Sequence, residues 1–144
     1  MSTTGQTEIK KGKRHFDKPE RYRFFLNPYF DARFSRCPEC NRSTRVIKLP
    51  LFIHVEPDNP VVLNKTCRCC SRCDLLIAHK DELESQLANM FFQRRPDMIG
   101  NEYLVIGTFD KTDWERGGKH PVKFDKIESL LYVFKEVLKI RLSI

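Results

Sequence analysis

The spacing of apolar positions changes several times along the chain, and each period predicts a different element. Lys80 to Arg95 carries Leu83, Leu87, Met90 and Phe91 at spacings of three and four, the period of an amphipathic helix. Asp81 and Glu82 suit its electropositive N-terminal end, Arg94 and Arg95 suit the opposite end, and Pro96 stops it. The same period returns in Phe124, Ile127, Leu131, Phe134 and Leu138, with Leu130, Val133, Val137 and Ile140 widening the stripe. This predicts a long helix over 125–142, with an apolar face broad enough to need cover on two sides. Extended structure is expected elsewhere. Arg45 to Val55 is rich in strand formers, Glu56-Pro57-Asp58-Asn59-Pro60 signals a turn, and Val61-Val62-Leu63 resumes the strand pattern, so a hairpin is predicted. Asp74 to Ala78 and Tyr103 to Phe109 read as short apolar strands, and Asp110 to Pro121, with Trp114, as a polar loop.

Six cysteines bracket the predicted hairpin: Cys37 and Cys40 before it, and Cys67, Cys69, Cys70 and Cys73 at its end. A Cys-x-x-Cys turn aims two thiolates and nearby backbone N–H groups at one point, and a hairpin brings two such turns together. Four thiolates in a tetrahedron select zinc, with iron as the alternative. Cys67-x2-Cys70 is as well spaced as Cys70-x2-Cys73. Spacing alone leaves the choice open, with Cys67 and Cys69 as alternative ligands.

Cys37-Pro38-Glu39-Cys40 resembles the first knuckle of zinc ribbons, and Cys70-Ser71-Arg72-Cys73 the second. Glycine commonly follows a ribbon knuckle. Here Asn41 and Asp74 stand there, two residues that tolerate the left-handed conformation better than most. The resemblance implies one structural Zn held by Cys37, Cys40, Cys70 and Cys73. With the predicted elements it gives an α+β fold, a zinc-ribbon β-hairpin core with an additional strand, one middle helix and a long C-terminal helix. Residues 1–15 are expected to be a disordered basic tail and 16–144 a single domain, with the ribbon at 35–78 and the extension at 79–144. A redox dithiol fits less well, because Cys37 lacks the strand-to-helix context that such a motif needs.

Charge adds a direction. The chain of 144 residues has 26 Lys and Arg against 19 Asp and Glu, and residues 1–48 hold twelve of the first against five of the second. All of the excess therefore lies in the first third, interleaved with Phe16, Tyr22, Phe24, Phe25, Tyr29, Phe30 and Phe34. Arg14, Arg21, Arg23, Arg33, Arg36, Arg42, Arg45 and Lys48 are the expected nucleic-acid contacts, since guanidinium groups pair with phosphates and exposed rings stack on unpaired bases. RNA is the first partner expected, and an acidic protein surface would account for the charge equally well. Burial is the expected role of most of the rings.

Other classes lack support. No apolar run approaches the ~20 residues of a membrane-spanning helix, and the N-terminus has no apolar core of a secretory signal. A reducing cytoplasm is the expected compartment, where clustered cysteines favour metal over disulfides. His54 and His79 could approach the metal, but hydrogen-bonded histidines at strand edges are the plainer reading. No phosphate loop, dinucleotide fingerprint, nucleophile elbow or zinc-protease motif is present. A non-enzymatic binding protein is therefore expected. The alternative is an interaction module dimerising through its C-terminal helix, and the third possibility is an enzyme of unknown class.

Overall fold

Period-two alternation governs the centre of the chain. Along the strand Asn59–Cys70, Leu63, Lys65, Cys67 and Cys69 are buried while Asn64 and Thr66 are exposed. Successive residues of a strand point to opposite faces, so these four share one face of a sheet. The computed structural model describes residues 18–112 and 129–140, and the predicted N-terminal tail and most of the Asp110–Pro121 loop lie outside them. The strands are β1 (Arg23–Asn27), β2 (Arg45–Val55), β3 (Asn59–Cys70), β4 (Leu75–His79), β5 (Tyr103–Phe109), β6 (Leu131–Val133) and β7 (Glu136–Leu138). They form one sheet in the order β6-β5-β2-β3-β4-β1-β7, curled into a half-barrel.

The predicted hairpin is β2 and β3, paired antiparallel from Arg45↔Cys69 to Val55↔Asn59. Helix α1 (Lys80–Arg94) follows β4 directly. His79 caps it, with Nδ1 accepting from the Glu82 N–H while Nε2 lies 3.0 Å from the Phe30 carbonyl. Because Nδ1 accepts, the proton sits on Nε2, which donates to Phe30. The helix lays Leu83, Leu87 and Phe91 on the face carrying Leu51, Ile53, Leu63, Cys67, Cys69 and Leu76, which forms the main core. On the opposite face Phe25, Leu75 and Ile77 form a second core with Cys37 and Cys70. A third gathers Phe52, Phe109 and Leu131.

The α+β expectation is overturned: the molecule is mostly β, with one α-helix among the described residues. The error lies in the C-terminal segment. Of the predicted helix 125–142, residues 125–128 and 141–142 are outside the described residues, 129–130 are helical, and the rest is extended chain carrying β6 and β7. A helix would put Leu131, Phe134 and Leu138 on one stripe. Here they go to three different places: Leu131 to the third core, Phe134 to the main core and Leu138 to the edge of the second. Two sheet edges compete for this backbone. Phe134 N–H donates to Ile106, Lys135 N–H donates to Tyr22, and the Val133 carbonyl accepts from Arg21. Phe134 also stacks on Phe24, with centroids 4.5 Å apart and planes 2° from parallel. Tertiary pairing thus overrides a short-range period that an apolar, β-branched segment satisfies only by coincidence. With no long helix there, dimerisation through its face loses its basis.

Candidate metal centre

Two turns at one end of the sheet build the site. The first precedes β2. Cys37 N–H donates to Arg42, Asn41 N–H donates back to Cys37, and Arg36 bridges to Ser43. Asn41 sits at φ 64° and reverses the chain. The second turn joins β3 to β4, which pair at Cys70↔Leu75, and Asp74 at φ 53° reverses it. Both residues standing in for the ribbon glycine therefore adopt the left-handed conformation. The Arg45↔Cys69 register of the hairpin sets the two turns side by side.

The sulfurs of Cys37, Cys40, Cys70 and Cys73 all lie within 4.8 Å of one another. Cys37 Sγ is 3.9 Å from Cys73 Sγ, and Cys40 Sγ is 3.6 Å from Cys70 Sγ. Four sulfurs at the Zn–S distance of ~2.3 Å from one centre stand about 3.8 Å apart in a tetrahedron, so this quartet is positioned for one metal ion. It is not a pair of disulfides, since all six cysteines are free. The chemistry of the donors agrees with the geometry. The Arg42 N–H and neighbouring thiols draw the Cys40 thiol down to about 7, whereas burial and neighbouring thiols push Cys73 up to about 12. Burial raises Cys37 despite the N–H groups of Cys40 and Glu39 pointed at it. Four adjacent thiolates repel one another, and a divalent cation reverses that balance.

The remaining cysteines are separated by strand parity. Cys67 and Cys69 point into the main core, and Cys67 Sγ donates to the Lys65 carbonyl at 3.5 Å. Burial pushes the Cys67 thiol up to about 12 and also raises Cys69. Neither belongs to the quartet. Of the histidines, His79 caps α1, and His54 Nε2 lies 3.5 Å from Asp58 in the hairpin turn.

The basic residues divide into engaged and unengaged groups. Arg14 lies outside the described residues. Arg21 pairs with Asp110 at 3.4 Å and covers the rings of Tyr22 and Tyr132. Arg23 grips Glu39 with both Nη atoms, at 2.6 and 2.8 Å. Arg33 lies 3.7 Å from Glu82. Arg36 donates to the Asn41 carbonyl, and Arg45 Nε donates to Ser71 Oγ. Arg42 and Lys48 are exposed. Together with Arg68 and Arg72 they make no ion pair among the described residues. Sequence reasoning passed over Arg68 and Arg72, although β3 parity sets Arg68 on the face opposite Cys67, and Arg72 lies between two knuckle cysteines. Of the aromatic residues, Tyr22, Phe24 and Phe25 are buried and Phe30 is 71% exposed.

Compared with known proteins, the chain matches no family model, no curated protein and no solved structure. Among the described residues no helix is long and apolar enough to cross a membrane.

Proposed function

We propose that the protein is a non-enzymatic, zinc-stabilised binding protein in which Cys37, Cys40, Cys70 and Cys73 hold one structural ion. The observation carrying this reading is the convergence of four sulfurs from two distant turns at spacings that suit a tetrahedral S4 site. Zinc bound there would supply a cross-link between the turns. Four protein ligands close its coordination and leave no position for a reacting water, which makes the role structural. Such a site needs reduced thiols, as the cytoplasm provides. Full-length protein purified without added metal is expected to contain one zinc per chain, and a cobalt-exchanged sample to show a tetrathiolate visible spectrum. Absence of bound metal, or unaltered stability in Cys37→Ser/Cys73→Ser, contradicts the reading. Stoichiometric iron would replace zinc as the ion.

We also propose a polyanionic partner, with RNA the first candidate, and a set of uncommitted cations supports the reading. Arg42, Lys48, Arg68 and Arg72 are free of ion pairs among the described residues, and Arg36 and Arg45 meet only neutral oxygens. All six belong to the knuckles and the adjoining hairpin, so the contact surface we favour is the knuckle end; Arg21 and Arg23 are committed elsewhere. Affinity for single-stranded RNA should fall steeply as salt rises. It should also fall in Arg42→Gln/Arg72→Gln and hold in Arg21→Gln. Salt-insensitive or absent binding contradicts this, and retention of an acidic protein in its place assigns the surface to that partner.

A further inference from the structure

Arg23 stands where three parts of the chain meet. Strand β1 runs parallel between β4 and β7, in a register that sets Arg23 beside Leu75 and beside Glu136. Its Nη1 and Nη2 meet Glu39 Oε1 and Oε2 at 2.6 and 2.8 Å, a two-pronged grip on one of the two residues between Cys37 and Cys40. Nη1 also lies 3.4 Å from the Cys73 carbonyl, and Nε lies 3.5 Å from Glu136 Oε1. One guanidinium therefore touches the first knuckle at an inner residue, the second at a sulfur-bearing residue, and the strand beyond. Its backbone N–H donates to the Asp74 carbonyl at 2.7 Å, and the preceding N–H, of Tyr22, donates to the Asp74 carboxylate. β1 is thus tied to the residue that reverses the second knuckle.

Each knuckle has its own internal hydrogen bonds, but these do not fix the distance between the two. Apart from the sulfurs, the side-chain hydrogen bonds that join them among the described residues are Arg45 to Ser71, at 3.4 Å between exposed groups, and the Arg23 bridge. The Arg23 bridge is shorter, charged and bidentate. A planar fork on a carboxylate resists rotation in a way that a single lysine ammonium does not. Groups that orient metal ligands from outside the coordination sphere set affinity by holding the ligands ready in the bound arrangement.

We infer that Arg23 is the positioning residue of the metal centre, bridging Glu39 and the Cys73 carbonyl so that the four sulfurs face one point before the ion arrives. The inference rests on the structural-zinc reading above. It also explains why a basic residue within the N-terminal third is turned inward and is missing from the cationic surface. The carboxylate of Glu39 is the other half of the device, and Glu136 braces it from β7.

The test is competition for zinc between the full-length protein and a chromogenic chelator, with a cobalt spectrum as a second readout. Arg23→Gln and Glu39→Gln are each expected to weaken zinc binding by about 10–100-fold, the range found for residues that orient metal ligands. Both should alter the cobalt ligand-field band, since the sulfur geometry loosens. Arg23→Lys should lie between these variants and wild type. The exchanged pair Arg23→Glu/Glu39→Arg should recover part of the affinity. Arg21→Gln, which breaks a different ion pair on the same approach to β1, should bind zinc as wild type does. Affinity within twofold of wild type with an unchanged cobalt band in Glu39→Gln overturns the inference, even where Arg23→Gln fails to fold. An equal loss in Arg21→Gln overturns it too, by showing a general effect of loosening β1. A wild-type protein that binds no metal removes the zinc reading itself, an outcome distinct from both.

Discussion

Among the described residues, four other than glycine hold positive φ: Tyr22, Phe34, Asn41 and Asp74. Asn41 and Asp74 close the knuckles, and a β-carbon there costs roughly 1–2 kcal/mol unless the side chain compensates locally. Asn41→Gly is therefore expected to leave stability nearly unchanged. Asn41→Ala should lower it by about 1 kcal/mol and weaken metal retention, as read from urea unfolding of the metal-loaded protein. Equal midpoints for both variants would show that the left-handed turn carries no strain. Asp74 does more than reverse the chain, because its carboxylate takes the Tyr22 N–H at 3.1 Å and the Lys135 ammonium at 2.8 Å. The two knuckle positions were legible in the sequence, since a polar residue directly after Cys-x-x-Cys has a conformational reason to be there. Tyr22 and Phe34 carry no such signal. Burial of the Tyr22 ring, and the edge of Phe34 against Phe25, with centroids 5.6 Å apart, offset their strain only once the whole fold exists.

Among the elements, those with a period and a stop signal were found: the β2–β3 hairpin, β4, α1 and β5 all lie within a residue or two of where the pattern puts them, apart from the greater length of β3. β1, β6 and β7 were not found, and the reason is physical. Five-residue and three-residue strands hold too few positions to display alternation, and their partners are remote in sequence. The test of the strand assignment is Lys135→Pro. It deletes the N–H that donates to Tyr22 while costing a solvent-exposed helix of the predicted kind about 3 kcal/mol as well, so stability alone cannot discriminate. Amide exchange at Arg21, whose N–H donates to the Val133 carbonyl, does: faster exchange there is expected in the variant, whereas a C-terminal helix independent of β1 would leave it unaffected. Helix α1 owes part of its docking to Glu82, which receives Lys65 Nζ at 3.0 Å; that lysine is only 3% exposed. The lysine hydrogen bond, then its charge, holds the Glu82 carboxyl below its ordinary range. A depressed carboxyl contributes stability that is complete above the unfolded value of about 4.3 and disappears as pH falls through the folded value. Wild type should therefore exceed Glu82→Gln in unfolding free energy at neutral pH, with the gap closing in acid below that value. A gap independent of pH would mean that the ion pair is not its source.

At the scale of the molecule the metal end and the sheet are one structure. The second core packs Phe25, Leu75 and Ile77 around Cys37 and Cys70, and Arg23 and Asp74 tie β1 to both knuckles. Chelation is therefore expected to speed amide exchange at Cys37, Asn41 and Arg23 together, with α1 amides affected last; unchanged exchange at Arg23 would show that β1 is held without the ion. The quartet of sulfurs could be anticipated from spacing, whereas the redistribution of the arginines could not, because whether a guanidinium faces a carboxylate or water depends on contacts between distant segments. The place of β1 has a further consequence, for synthesis. It is the first of the described strands to be made, yet its neighbours are β4 and β7, so it waits for the hairpin and both knuckles before its first partner is complete, and for residues 136–138 before its second. Pairings between such distant segments are slow to form, and an unpaired strand edge is a site of misassociation in the interval. Docking on β4 needs only residues up to His79, so Arg23 can reach Glu39 and the Cys73 carbonyl, and align the sulfurs, before β7 has been made.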